Sequence, residues 1–340
     1  MGAVASYGMR RRTVLSVFAL VVLAVPAAVV GVDAIVRWTP VPDTGIAARI
    51  AAVPDLDAYL ARREAAVAGV KRDLRKTIIW HDASQKAPTR IAIVYLHGFT
   101  ASRREMSPVV ERLADSLGAN VFFTRLAAHG MTDGEAFGTV RPQAWMDDAR
   151  EALAIGRRIG ARVLVVGMST GAVLAEQLAM ESADSAAPAA LILVSPNHAP
   201  ANNLAWLAAG PLGRVVAKLV VGSHKQLVPD NAAHAYMTTQ RYRSEGIVAM
   251  MDLVRFGQTI DVSRITRPLL TLYTRHDDVV RVDLIRERHA RFGSPIKEIV
   301  DVPETTRHVL AGDVLSPQAV DPVVTLMLRF AQRALGVPPT

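Results

Sequence analysis

The stretch Val163-Leu164-Val165-Val166-Gly167-Met168-Ser169-Thr170-Gly171-Ala172 decides the fold. Its apolar start reads as a buried strand, and the run from Ala172 to Met180 reads as a helix. Between them lies a sharp turn with a serine at the apex and glycines on both sides. A serine hydroxyl is a poor nucleophile until it is held exposed and relieved of its proton. A tight turn at a strand end does the first, and Gly167 and Gly171 are expected to give it room and φ freedom.

Such a serine needs a base, and the base needs an orienting acid, both supplied later in the chain in this kind of strand–turn–helix setting. Pro268 to Tyr273 reads as a short buried strand that runs into Thr274-Arg275-His276-Asp277-Asp278. An aspartate just past a strand end can reach a site at the sheet's C-terminal edge. We take Asp277, because Val279-Val280 then returns the chain to the core, with Asp278 as the alternative. One of the two is expected to cap a helix over Arg281 to Arg286. The next strand, Ile296 to Val302, is followed by a loop bearing His308, where a mobile imidazole can meet Ser169 and Asp277.

A further strand, Ile91 to Leu96, runs into His97-Gly98-Phe99-Thr100. Gly98 lets the backbone approach a substrate, so the N–H groups of Phe99 and Thr170 are the candidate oxyanion donors. His97 is expected to order this loop by hydrogen bonding and not to act as a second base.

On His97-Gly98-Phe99, Leu126-Ala127-Ala128-His129-Gly130, the turn at Ser169, Asp277 and His308, the chain resembles the α/β-hydrolase superfamily. The likeness is greatest to its carboxylesterase, monoacylglycerol-lipase and serine-aminopeptidase-like branch, and it covers roughly residues 76–336. It departs at Ala128-His129-Gly130, where the family has Gly-His-Gly. The resemblance implies an α/β fold with a mostly parallel, doubly wound sheet. It also implies Ser169 as nucleophile, His308 as base and Asp277 as its acid. The activity implied is cleavage of carboxylic esters through an acyl-enzyme on Ser169, of esterase, lysophospholipase or monoacylglycerol-lipase type, without a cofactor. Two other readings stand beside it: an aminopeptidase or amidase of the same fold, and a hydrolase-fold binding protein that has no catalysis.

Composition agrees with one large α/β unit. Of the residues 51% are hydrophobic and 21% charged, enough apolar material to cover a sheet on both faces. Strand-like runs alternate with helical stretches at Met106 to Gly118, Gln143 to Arg158, Ala172 to Ser182 and Pro317 to Gly336. The chain has no cysteine, which excludes disulfides, thiolate catalysis and zinc–thiolate sites. No Gly-rich phosphate loop occurs, and His276-Asp277-Asp278 is better explained by the triad than by a metal. The net charge of +8 comes from arginines scattered without aromatic interleaving, so nucleic acid is not an expected partner.

The N-terminus carries a separate message. Arg10-Arg11-Arg12 precedes twenty uncharged residues, Thr13 to Val32, followed by Trp38. A helix of that length spans about 30 Å, the thickness of a bilayer core. The basic flank places the N-terminus in the cytoplasm and the hydrolase on the extracytoplasmic side, with Trp38 at the interface. The alternatives are a cleaved export signal, with cut sites at Val25-Pro26-Ala27 or Val32-Asp33-Ala34 and a faint twin-arginine character, and a buried soluble helix. We divide the chain into this segment (1–38), a linker and helical lead-in (39–75, with a helix over about Leu56 to Leu74), and the hydrolase domain (76–340).

Between Ser195 and Pro268 lie far more residues than an α/β connection needs. In the resembling family an insertion here, at about 198–265, forms a helical lid over the nucleophile. The stripe Trp206, Leu207, Val215, Val216, Leu219, Val220, Val221, Tyr236, Met237, Ile247, Met250, Met251 and Phe256 is read as lining an acyl tunnel or, residue by residue, as lid-to-body packing. His198, on the loop before it, is expected to make a loop hydrogen bond.

Overall fold

The computed structural model of the chain describes residues 38–338, apart from 44, 183–185 and 211. The expected apolar span and both cut sites lie outside these residues. Among the described residues no helix is long and apolar enough to cross a membrane.

The body is a seven-stranded sheet in the order β1-β3-β2-β4-β5-β8-β9. Its strands are β1 (Thr77–Ile79), β2 (Thr89–Leu96), β3 (Asn120–Phe123), β4 (Gly160–Met168), β5 (Ala190–Val194), β8 (Leu269–Tyr273) and β9 (Lys297–Asp301). All neighbours run parallel except β1, which pairs antiparallel with β3 at the edge. The central strands are apolar at nearly every position because both faces are covered. Along β2, Ala92, Val94 and Leu96 enter one core, while Ile91, Ile93 and Tyr95 enter the other. The first core lies under α4 (Pro142–Ile159) and α5 (Thr170–Glu181), the second under α3 (Val109–Leu117) and α10 (Val320–Leu335).

Chain order and strand order part company at β2. From β2 the chain crosses to β3 on one side and returns past β2 to β4 on the other. A crevice opens at such a reversal, beyond the C-terminal ends of the strands, and that is where open α/β sheets bind ligands. Leu96 and Met168, the last residues of β2 and β4, flank it.

Residues 39–75 hold two helices that pack on this body. On α1 (Ile46–Ala51), Ile46 and Ile50 are buried in the first core. The helix expected over 56–74 ends earlier, as α2 (Leu56–Ala65), capped by the side chain of Asp55. Its buried Glu64 takes a paired guanidinium contact from Arg125, at 2.7 and 2.9 Å, and so ties this segment to the loop after β3. Trp38 packs edge-on against Phe256, with ring centroids 5.3 Å apart.

The insertion between β5 and β8 contains α6 (Gly213–Val221), β6 (His224–Gln226), α7 (Ala232–Met237), β7 (Arg241–Arg243) and α8 (Glu245–Gly257). It is not purely helical, since β6 and β7 form a two-stranded antiparallel ribbon. The remaining helix, α9 (Val282–Arg291), is preceded by Arg281 and has no side-chain cap, so neither Asp277 nor Asp278 caps it.

Candidate active site

Ser169 sits between β4 and α5 with φ 53° and ψ −111°, a strained conformation for a residue with a side chain. Three backbone hydrogen bonds hold it there: its N–H donates to the Val194 carbonyl at 2.8 Å, and its carbonyl accepts from Ala172 at 3.0 Å and Asn197 at 3.2 Å. The positive φ therefore belongs to the serine and not to its flanking glycines, whose role is space. A Cβ on Gly171 would stand 2.0 Å from the Leu96 carbonyl oxygen, and one on Gly167 would stand 2.6 Å from the Gly171 oxygen. Both contacts are with backbone, which has nowhere to go.

The structure brings Ser169, His308 and Asp277 together in a line. His308 Nε2 is 2.9 Å from Ser169 Oγ, and its Nδ1 is 2.7 Å from Asp277 Oδ2. An ionised carboxylate only accepts, so Nδ1 carries the proton and Nε2 is left as the acceptor for the serine hydroxyl. The other oxygen of Asp277 accepts from the N–H groups of Val279, at 2.9 Å, and Val280, at 3.1 Å. Burial pushes the Asp277 carboxyl up, but its hydrogen bond to His308, the His308 charge and these two N–H groups outweigh it and hold the pKa below the usual value. Asp278 is exposed and lines the same cavity, and among the described residues it makes no hydrogen bond to the histidine ring.

His308 is held, not free to swing. Its carbonyl accepts from Ser195 Oγ at 2.8 Å. Thr274 Oγ1 donates to the Thr305 carbonyl at 2.7 Å, and Ser316 Oγ donates to Val309 at 2.7 Å, so the loop is pinned on both sides of the imidazole.

The loop after β2 lies directly against the serine turn. A Cβ at Gly98 would stand 3.4 Å from Ser169 Cβ. Among the described residues no acceptor takes the N–H of Phe99 or of Thr170. Thr170 is also the first residue of α5, where the helix dipole favours negative charge. His97 braces the loop: its Nδ1 donates to the Gly98 carbonyl at 2.9 Å and its Nε2 accepts from Leu126 N–H at 3.0 Å. Burial lowers the His97 pKa to about 4, which keeps this neutral tautomer. The Phe99 ring is wedged among Phe137, Trp145, His129 and the lid residue Tyr242.

Ala128, in the Ala128-His129-Gly130 turn, has φ 70°, so the family's glycine is replaced at a left-handed position. The turn is held despite this. Ala127 donates its N–H to Asp148 at 2.7 Å and accepts from Trp145 Nε1 at 2.9 Å.

A cavity of about 620 Å³ opens over the serine, lined among others by Phe99, Ser169, Leu227, Met237, Tyr242 and Met250. Of the apolar lid stripe read from sequence, only Met237 and Met250 reach it. Val215, Leu219 and Val220 face solvent, Met251 is buried in a small lid core, and Phe256 is taken by Trp38. Leu227 and Tyr242 carried no periodic signal and come to the cavity through the ribbon. His198 makes a buried pair with Glu176 at 2.7 Å, and Arg288 sits on the same carboxylate at 2.6 Å. Burial raises the Glu176 pKa, yet Arg288 and His198 overcome this and hold it down at about 2.

A sheet of this order, with a strained serine turn at its point of reversal and an insertion between β5 and β8, defines the α/β-hydrolase class. Within that class, residues 87–314 match the family described as serine aminopeptidase, S33, and the chain belongs to it. Solved structures agree on the fold. A structure from work on LipS and LipT, two metagenome-derived lipolytic enzymes, superposes with a TM-score of 0.63 at 17% identity, covering 78% of this chain and 99% of that one. A soluble variant of monoglyceride lipase from Saccharomyces cerevisiae gives 0.58 at 14% identity, covering 76% of this chain and 91% of that one. A monoacylglycerol lipase from Paleococcus ferrophilus gives 0.55 at 14% identity, over 78% of this chain and 99% of that one. No curated protein sequence matches the chain.

Proposed function

We propose that the protein is a serine hydrolase of carboxylic esters with short to medium acyl chains. The observation that carries this is His308, bonded at 2.9 Å to Ser169 Oγ and at 2.7 Å to Asp277. Ser169 Oγ attacks the ester carbonyl carbon while His308 Nε2 takes the hydroxyl proton. Asp277 stabilises the resulting imidazolium, and the N–H groups of Phe99 and Thr170 bind the oxyanion. As the C–O bond to the alcohol breaks, His308 returns the proton to the leaving oxygen, and the acyl group stays on Ser169. Water then attacks the acyl carbon and gives a proton to His308, which passes it to Ser169 Oγ as the acyl C–Oγ bond breaks, so that the acid leaves and the serine is restored.

The apolar cavity wall favours an acyl chain over a peptide. The family's description and the lipolytic neighbours support hydrolysis and leave two substrate classes, esters and N-terminal amides. An aminopeptidase needs a free carboxylate for the substrate ammonium. Of the carboxylates that line the cavity, Asp230 is occupied by Arg307, at 3.1 and 3.2 Å, and by His234, and Glu105 by Gly98 and Tyr95, which leaves the exposed Asp278 as the aminopeptidase reading's one candidate. Residues 13–32 support tethering to a membrane with the hydrolase on the extracytoplasmic side.

The test is turnover by the full chain of p-nitrophenyl esters of increasing acyl length, beside aminoacyl p-nitroanilides. Esters turned over at least a hundred times faster, with an optimum at short to medium chains, are expected. Faster release from the anilides would transfer the protein to the aminopeptidase reading.

A further inference from the structure

Glu105 lies in the short turn Arg103–Met106, is only 3% exposed, and lines the cavity over Ser169. Its two oxygens are treated differently. Oε1 accepts from Gly98 N–H and from Tyr95 OH, each at 2.7 Å. No described residue hydrogen-bonds Oε2, which is the oxygen left to the cavity. A Cβ at Gly98 would lie 3.2 Å from Oε2 and 3.4 Å from Ser169 Cβ, so the carboxyl group, the loop after β2 and the serine meet at one point.

That pattern fits a neutral acid. A carbonyl oxygen with two lone pairs accepts two hydrogen bonds, and the hydroxyl of the same group is left to donate. Among the described residues no arginine or lysine pairs with the carboxyl group. In its own turn, Arg103 donates to the Asp73 carbonyl and Arg104 pairs with Asp313. Across the cavity, His234 and Arg307 each pair with Asp230, and Asp278 is exposed. The remaining titratable neighbours are Tyr95, from β2, and His308, whose charge when protonated acts to lower the Glu105 pKa.

We propose that Glu105 works as a neutral acid whose Oε2 proton is a third hydrogen-bond donor to the substrate oxygen beside the N–H groups of Phe99 and Thr170. This rests on the ester-hydrolase reading above. No bond to carbon is made or broken by Glu105; it donates a hydrogen bond as charge develops and keeps its proton through the cycle. Burial supports the assignment by raising its pKa to about 7, against the opposing bonds from Gly98 and Tyr95 and the opposing charge of His308. Ionisation replaces a donor with a negative charge beside the oxyanion, so turnover falls as pH rises.

The experiment is the pH profile of kcat/KM for ester hydrolysis by the full chain, for wild type, Glu105→Gln, Tyr95→Phe and Ser169→Ala. Loss of one oxyanion donor costs about 10²–10³-fold, so wild type should fall more than about tenfold between pH 7 and pH 9. Glu105→Gln keeps an acceptor and a donor, and should retain the rising limb set by His308 while losing the falling one. Tyr95→Phe removes a bond that favours the ionised carboxylate, and should move the falling limb to higher pH. A merely structural role would not move that limb in either variant. Infrared difference spectra of the full chain should show a protonated-carboxyl band at neutral pH that Glu105→Gln removes. An alkaline limb unchanged in both variants, or infrared spectra in which Glu105 is already ionised at about pH 5, would overturn the proposal. If turnover vanishes in Ser169→Ala while that limb is unchanged, only this inference falls. Turnover that survives Ser169→Ala removes the hydrolase reading itself.

Discussion

Leu193, in the middle of β5, is wholly buried, whereas Leu219, on the lid helix α6, is 81% exposed. The two leucines stand for two regions of equal apolarity and unequal purpose. In the sheet, apolar side chains alternate between two cores and hold the strand ends at the crevice, where Ser169, His308 and Asp277 are pinned from several directions. In the lid, Val228 is 89% exposed, and only a few side chains reach down to the cavity. Rigidity is concentrated where the chemistry is proposed, and the lid contributes the wall of the cavity.

The sharpest way to break that contrast is at the pinned acid. Asp277→Asn keeps the shape but removes the charge that fixes the His308 tautomer, and kcat should fall about 10⁴-fold. Asp278→Asn, one residue away and exposed, should cost less than tenfold. Comparable losses in the two variants would put the acid at the wrong residue.

Stability separates the regions next. Leu193→Ala should destabilise by about 2–5 kcal/mol in chemical denaturation, because it opens a cavity in a packed core. Leu219→Ala should change it by less than about 0.5 kcal/mol. A large loss at Leu219 would show that the lid leucine is covered in solution.

Glu105 adds a pH signature. Its folded pKa of about 7 lies above the ordinary 4.5, so its contribution is fully present below pH 4.5 and lost as pH rises through 7. Relative to wild type, Glu105→Gln should gain up to about 3 kcal/mol across that window and nothing further above it. His97 runs the other way: its pKa is lowered to about 4, so its contribution holds above pH 6.5 and is lost as pH falls through 4. Thermal unfolding of Glu105→Gln against wild type at several pH values reads the first effect.

The smallest effect is at the loop beside the site. Ala128 holds φ 70° where a glycine would pay less, so Ala128→Gly should raise stability by about 1 kcal/mol despite its greater unfolded entropy. A destabilised variant would mean that the Ala128 methyl group packs better than its backbone suggests.

Much of this was legible in the sequence, for identifiable reasons. Strands buried on both faces leave continuous apolar runs, so β2, β4, β5 and β8 stand out, while β9 is a half-buried edge strand with a weaker pattern, and the proposed catalytic residues follow from the strand ends. β1 and β3 have only three and four residues, too few to show a period. The helix α1 hides in a Pro-rich lead-in, and its fit to α4 is a tertiary fact. The lid stripe misled because helical spacing reports an apolar face, not what that face touches. Glu105 is not legible in the sequence, because an acid beside Arg103 and Arg104 reads as surface charge, and only the structure turns its carboxyl inward.

The most direct test is active-site labelling of the full chain with a fluorophosphonate probe, beside Ser169→Ala and His308→Ala. Phosphonylation mapped to Ser169 in the parent and absent from both variants is the result expected of an activated serine. A folded parent that stays unlabelled, with and without detergent to free the lid, would contradict the claim that His308 and Asp277 make Ser169 a nucleophile.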